Sequence, residues 1–213
     1  MTAGRRSQKP AIRKRAQPGW TSGKRVLDAL AAEESAAVLR ILMDRHPGLR
    51  DEAEQIAQGL VSSPSAEDIA QDVISATTLV DEDELAGRAG KHSWGYVEPG
   101  ETALQLLEEA VEPIIADMKR RMELGLAEAA ETICRGIVIG LNEIDGTGED
   151  GLLGWAPDFP AEEACHALAE LIRACPVAGR KPSLKRLVDA LARDVPGWSE
   201  MLARAAKQAM SRR

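Results

Sequence analysis

Hydrophobic side chains recur about every 3.6 residues along most of this chain, and this periodicity restricts the folds open to it. Apolar residues repeat at the spacing of one helix face in successive segments between residues 26 and 211. No segment shows the alternation of apolar and polar residues that is typical of a half-buried strand. The sequence therefore predicts an all-α fold with roughly two-thirds of its residues in helices. Antiparallel helix pairs would form either an αα-repeat of the tetratricopeptide or HEAT kind, or an irregular helical bundle.

Breaks in the periodicity divide the chain into predicted helices. The two longest breaks, 81–100 and 145–159, are rich in glycine and acidic residues and are predicted to be loops. Residues 1–22 combine low hydrophobicity with high charge, which predicts a disordered basic arm. Residues 23–213 are predicted to form a single α-helical domain, with a subdivision near 81–100 as the alternative. Pro113 lies inside a predicted helix, where a kink or a restart would avoid a cost of ~3 kcal/mol.

Charge is distributed unevenly along the chain. The net charge is −7, from 34 acidic and 27 basic side chains. Residues 1–25 carry eight basic and no acidic side chains, and residues 180–213 carry nine basic and three acidic ones. The middle, residues 26–179, therefore has a net charge of −21. An acidic body between two basic ends excludes a uniformly basic nucleic-acid-binding protein, because the body would repel a duplex.

The sequence also limits the compartment. No uninterrupted apolar run approaches the ~18 residues of a membrane-spanning helix. The basic start lacks the apolar core of a secretory signal. A cytoplasmic location without a membrane partner is therefore expected.

Three cysteines, Cys134, Cys165 and Cys175, are too few and odd in number for a disulfide framework. Each lies in an apolar helical pattern, where a free cysteine behaves as a small hydrophobic residue. Cys165, His166 and Cys175 suggest a zinc site. Cys165 and Cys175 are ten residues apart on one predicted helix, so they would be separated by ~15 Å along its axis and could not bind the same ion. The sequence predicts neither a metal site nor a cofactor.

Aromatic residues are few, and they are concentrated at the predicted connections rather than on the helix faces. One hypothesis is that the two long loops form a binding surface or pocket. Its candidate residues are His92, Trp94, Tyr96, Trp155, Asp158 and Phe159. The alternative, which is favoured, is that the rings fold back and close the ends of the bundle as structural plugs.

Two segments near the ends resemble each other. KRVLDALA at 24–31 is echoed by KRLVDALA at 185–192, and each lies near a Pro-Gly-Trp tripeptide. Chance similarity is the favoured explanation, because no fixed period of 20–50 residues links other segments. If the two segments met in the fold, both basic ends would lie on one side.

One long stretch resembles a known kind of protein region. It begins at Glu101 and reads ETALQLLEEAVEPIIADMKRRMELGLAEAAETICRGIVIGLNEIDGTGEDGLL. A long acidic helix, a glycine turn, a second helix and an Asp/Gly-rich loop make it similar to helical regions that accompany SWIM zinc fingers in bacterial proteins. RHPGLRDEAEQIA at 45–57 is similar in character. The resemblance implies a tetratricopeptide-like αα-repeat. The zinc finger itself is absent, so no metal, nucleic-acid role or catalytic residue carries over.

Three functions remain open. The first is a non-catalytic α-helical interaction module, whose acidic body and aromatic loops bind another protein or a second copy. The second is a small-ligand-binding protein or enzyme that uses a pocket between loops 81–100 and 145–159, although no coherent catalytic set is present. The third, less favoured, is a nucleic-acid-associated protein that acts through its basic termini. Its contacts in the arm would be Arg5, Arg6, Arg13, Lys14 and Arg15.

Overall fold

The computed structural model describes residues 25–93, 95–146, 151–175 and 180–211, with the backbone alone at 180–183. The basic arm at 1–22 and Trp94 lie outside these ranges. Within them the chain forms ten α-helices: α1 Ala32–Arg45, α2 Arg50–Val61, α3 Ala66–Thr78, α4 Glu82–Arg88, α5 Pro99–Glu123, α6 Ala127–Ile144, α7 Leu152–Trp155, α8 Phe159–Ala174, α9 Arg180–Asp194 and α10 Ser199–Ser211. The predicted all-α fold is confirmed.

The predicted loop at 81–100 contains local structure. Asp81 caps α4, because its side chain accepts a hydrogen bond of 2.9 Å from the backbone N–H of Asp83. After α4, strands β1 (Gly90–His92) and β2 (Gly95–Val97) pair antiparallel, with Lys91 opposite Tyr96. The sequence predicted no strand. Three-residue strands are too short for an alternating pattern to be recognised.

Contacts divide the chain into two compact units, Met1–Glu54 and Gln55–Arg213, so the division falls within α2. The prediction of one domain over 23–213 stays a prediction. In the second unit the buried hydrophobic residues form a core that extends from α3 to α10. In the first unit none of the described residues is buried.

Helices α5 and α6 are the centre of the second unit. The turn between them ends α5 with the Schellman arrangement, in which Gly125 N–H donates to Met122 and Leu126 N–H donates to Arg121. Gly125 adopts φ +78°, which favours glycine. So short a link places the two helices antiparallel, as the sequence predicted. Pro113 lies within α5, which continues through it.

Helix α3 crosses α6 at very close range. A Cβ added at Gly136 would lie 2.6 Å from the carbonyl oxygen of Ala66, and one at Gly140 would lie 2.6 Å from that of Ala70. Both glycines are buried. The absence of a side chain at these two positions therefore permits the contact between the helix backbones.

Helices α8, α9 and α10 complete the second unit. Helix α8 contacts α5, α6 and α10, and α9 contacts α6 and α10. The guanidinium of Arg135 on α6 makes a two-pronged ion pair with Asp194 at the end of α9, with N–O distances of 2.5 and 3.0 Å. This geometry fixes the end of α9 against α6.

One connection geometry occurs twice among the residues that the structure describes. Helices α1 and α2 are joined by a 3₁₀ turn at Pro47–Leu49, and α9 and α10 by one at Pro196–Trp198. The residues before the two turns, His46 and Val195, have φ/ψ of −131°/70° and −129°/69°. The KRVLDALA echo does not coincide with this likeness, because Val26–Ala29 is a 3₁₀ turn whereas 185–192 is α-helical.

None of the described helices combines the length and the apolar composition needed to cross a bilayer.

Candidate functional site

The two long connections approach each other in the second unit. A Cβ added at Gly100, in the first turn of α5, would lie 3.1 Å from the carbonyl oxygen of Trp155, in α7. Similarly, one at Gly151 would lie 3.4 Å from a carboxylate oxygen of Glu82, at the start of α4. The proximity that the pocket hypothesis requires is therefore present.

A groove of about 310 Å³ lies between α4 and α7. Apolar side chains form most of its wall, and Glu82 is its charged group. The lining residues are Glu82, Leu85, Ala86, Ala89, Pro99, Gly151 and Trp155. Trp155 is 56% exposed and lies at the edge of the groove. Of the predicted binding residues that the structure describes, only Trp155 is among those that line it.

His92 and Tyr96 belong to the β-hairpin and do not line this groove. The ring Nε2–H of His92 donates a hydrogen bond of 2.9 Å to the backbone carbonyl of Arg88, which fixes the imidazole at the end of α4. Tyr96 is 63% exposed. The guanidinium of Arg88 pairs with Glu84 and with Glu109 on α5, which anchors α4 beside the hairpin. The hairpin therefore presents an exposed phenol on a fixed support.

Asp158 and Phe159 are neighbours in sequence with opposite environments. Asp158 is exposed just before α8, and its carboxylate makes no capping hydrogen bond. Phe159 is 1% exposed and belongs to the core. Its ring is therefore not accessible to a partner. Trp94, Arg5, Arg6, Arg13, Lys14 and Arg15 lie outside the described residues.

A second groove, of about 500 Å³, lies between α5 and α8 and is strongly acidic. It is lined by Gln105, Glu108, Glu109, Glu112, Pro113, Glu163 and His166. Glu163 is only 6% exposed, and its carboxylate lies 3.3 Å from Nδ1 of His166. Carboxylates and one imidazole are thus the ionisable groups of this groove.

The environment of Glu163 favours its protonated form. Burial is the main cause that raises the pKa of Glu163 above its ordinary value. Nearby His166 opposes this shift in the pKa, whereas the carboxylates of Glu108 and Glu112 add to it. The carboxyl group of Glu163 therefore binds a proton more readily than that of an exposed glutamate does. The sequence does not predict this groove. It shows that Glu163 and His166 are three residues apart on one helix, but it does not show that α5 lies beside them.

Outside the two grooves, Cys134 and Cys165 are poor nucleophiles and the described acidic residues are not arranged as a metal site. Complete burial raises the pKa of the Cys134 thiol to about 12, and burial also raises the pKa of Cys165. At neutral pH both thiols stay protonated, which removes their nucleophilicity. Within the described ranges no group of three or more His, Cys, Asp or Glu side chains is placed to hold a metal ion.

An exposed apolar surface lies in the first unit. Three exposed side chains of α1 and one half-buried side chain form it, and we call it the α1 face: Leu39, Ile41 and Leu42, with half-buried Val38. Leu39, Ile41 and Leu42 are 53%, 49% and 42% exposed. Val26 and Leu27 in the turn before α1, and Leu49 in the turn after it, are also exposed. The sequence predicts an apolar stripe here, made of Val38, Leu39, Leu42 and Met43, but it does not show whether the stripe is covered.

No family model, curated protein or solved structure matches this chain.

Proposed function

We propose that this protein is a non-catalytic α-helical interaction module that binds another polypeptide through the α1 face. One observation carries the proposal: helix α1 places bulky aliphatic side chains on one side, and none of the described residues from 25 to 54 is buried. Large exposed aliphatic groups that cluster in this way are typical of protein-binding surfaces. A short helix also gains most of its stability from packing an apolar face, so a covering partner would stabilise α1.

The second helix pair of the chain supports the proposal. Helices α9 and α10 are joined by the same type of Pro-Gly turn as α1 and α2. Aligned on that turn, Leu187, Leu191 and Trp198 correspond to Val38, Leu42 and Leu49. Leu187, Leu191 and Trp198 are 5%, 0% and 9% exposed, because they pack in the core of the second unit. The α1 positions carry similar apolar side chains without a cover.

The acidic body would favour partners that carry basic segments, and a second copy of this chain carries them at residues 1–25 and 180–213. Residues 26–179 carry a net charge of −21, and the groove between α5 and α8 concentrates four carboxylates. Such a field accelerates association with positively charged partners and slows association with negatively charged ones. In this proposal it selects among partners, and the α1 face supplies the apolar contact.

Photo-crosslinking in the cells that produce the protein tests the proposal. A photoreactive phenylalanine derivative replaces Leu42, which is 42% exposed on the α1 face, in the full chain. The matched control carries it at Leu124, which is 58% exposed at the end of α5. We expect covalent adducts of a defined polypeptide at position 42 in clear excess over position 124. Equal adduct yields at the two positions would contradict the proposal.

A ligand-binding function is the second candidate, and the groove between α4 and α7 is the observation that favours it. Its volume of about 310 Å³ is at the lower end of the range for small-molecule sites. Trp155 would stack on an apolar ligand there, with Glu82 as the polar partner. Screening a library of planar amines and apolar fragments by tryptophan fluorescence tests this candidate. It fails if the fragments that change the emission act equally on Trp155→Ala.

The remaining inferences are part of the proposal. The similarity to helical regions that accompany SWIM zinc fingers supports a bacterial origin and a helical repeat. A cytoplasmic location is supported by Cys134, Cys165 and Cys175, none of which forms a disulfide. A nucleic-acid role would rest on the basic termini. It requires salt-dependent binding of DNA or RNA that is lost when residues 1–22 are deleted.

A further inference from the structure

We infer that the partner of the α1 face is a second copy of this chain, packed with α1 antiparallel to α1. The inference rests on the proposed function and names its partner. It starts from the pattern of charges that border the apolar stripe, which distinguishes a self-complementary surface from one suited to a different protein.

Glu34 and Arg45 lie along the same edge of the α1 face. They flank Ile41, seven residues after Glu34 and four residues before Arg45, and such spacings fall on one side of a helix. The two charged residues are therefore about 16 Å apart along the axis, one near each end of α1. Glu34 is anchored there, because its Oε2 accepts a hydrogen bond of 2.9 Å from the backbone N–H of Ala31.

Antiparallel packing about a twofold axis matches these charges. The axis would pass near the middle of α1, beside Leu39. Glu34 of each copy then faces Arg45 of the other, and the apolar side chains between them are covered. A twofold interface repeats each contact, so the pair of opposite charges is formed twice. Parallel packing would instead leave the two copies of each charge at the same height but on opposite edges, so that Glu34 would not meet Arg45.

The exposed area is sufficient for a weak dimer. The large aliphatic residues of the first unit that are at least 42% exposed are Val26, Leu27, Leu39, Ile41, Leu42 and Leu49. Covering them would bury about 600 Å² on each copy, or about 1,200 Å² in total, which is the lower limit for specific interfaces. A dissociation constant in the micromolar range is therefore expected, with exchange between monomer and dimer.

Sedimentation velocity on the full chain tests the inference. At micromolar concentrations the protein should form a species of twice its 22.9 kDa mass. Leu39→Glu places a charge in the covered stripe and should raise the dissociation constant at least tenfold. Leu124→Glu introduces the same charge at a comparably exposed leucine (58% against 53%) outside the α1 face. It should change the constant less than twofold.

A pair of charge variants tests the orientation. Arg45→Glu places a carboxylate opposite Glu34 at both ends of the interface and should raise the dissociation constant roughly tenfold. Adding Glu34→Gln removes that repulsion, while a glutamine oxygen still accepts the hydrogen bond from Ala31. The double variant should therefore recover several-fold in affinity. A double variant no tighter than Arg45→Glu alone would overturn the antiparallel pairing.

The two proposals can fail separately. A chain that stays monomeric at all concentrations, or a dimer that persists in Leu39→Glu, overturns the second copy as the partner. If position 42 still crosslinks to a different polypeptide, the interaction function stands. If adducts at position 42 contain only this chain and Leu39→Glu abolishes the dimer, both proposals are supported.

Discussion

At the scale of single residues, Glu163 shows how a charged side chain is accommodated in the core. It lies on the buried side of α8, between the fully buried Ala164 and Ala167 on one side and the acidic groove on the other. His166, one turn further along, partners the carboxylate at 3.3 Å. Since burial disfavours the ionised form, the carboxylate opposes folding once it is charged.

Glu163→Gln should alter the pH dependence of stability. The pKa of Glu163 is higher in the folded chain than in the unfolded one. The raised pKa contributes stability to the wild type. That contribution is fully present below the pKa of Glu163 in the unfolded chain and is lost as the pH rises through its pKa in the folded chain. The free energy of unfolding of Glu163→Gln relative to the wild type should therefore increase from about pH 4 to about pH 7.

Urea denaturation at the two pH values measures this difference. Glu162→Gln is the matched control, because Glu162 is the adjacent glutamate on the exposed side of α8. The free energy of unfolding of the control should differ from that of the wild type by the same amount at both pH values. If Glu163→Gln and Glu162→Gln behave alike, the burial of Glu163 does not govern its ionisation.

At the scale of secondary structure elements, the crossing of α3 and α6 depends on two glycines. At Gly140 an added Cβ would lie 2.6 Å from the carbonyl oxygen of Ala70 and 3.0 Å from its Cα. These are backbone atoms of a neighbouring helix, and they can move only if the helices separate. Gly140→Ala should therefore lower the free energy of unfolding by about 1–3 kcal/mol.

Intrinsic helix propensity alone predicts that Gly140→Ala raises the free energy of unfolding, which is the opposite of the effect expected from the close contact. Replacing a glycine in a helix by alanine would stabilise it by about 1 kcal/mol if nothing were in contact with the new methyl group. Gly59 in α2 is such a position, with no atom within 4 Å of an added Cβ. Thermal unfolding should show a lower midpoint for Gly140→Ala but not for Gly59→Ala. A raised midpoint for Gly140→Ala would mean that α3 and α6 are not in close contact.

The elements also show how far the sequence determines the fold. Apolar periodicity and the helix-ending residues were sufficient to predict the long helices, because local spacing determines which side chains share a face. The hairpin of β1 and β2 was missed, because three-residue strands carry too little pattern. For the candidate site, the sequence placed Trp155 and Phe159 alike at one connection. Only the packing distinguishes the exposed indole from the buried phenyl ring.

At the scale of the whole molecule, the core and the exposed apolar surface occur in different parts of the chain. The buried hydrophobic side chains all lie between Ala66 and Ala209 among the described residues. The α1 face adds none to them. Whether an apolar stripe is covered depends on the neighbours that it meets, and a single sequence does not contain that information. The apolar pattern of α1 therefore predicts the helix correctly but does not show what the apolar side of that helix contacts.

The central claim is that another polypeptide covers the α1 face. The most direct measurement is the yield of photo-crosslinked adduct at position 42, compared between the otherwise unaltered chain and the same chain with Leu39→Glu. We predict a polypeptide adduct in the first and its loss, by about tenfold or more, in the second, because a buried charge disfavours the interface. An adduct of equal yield in both chains would contradict the account.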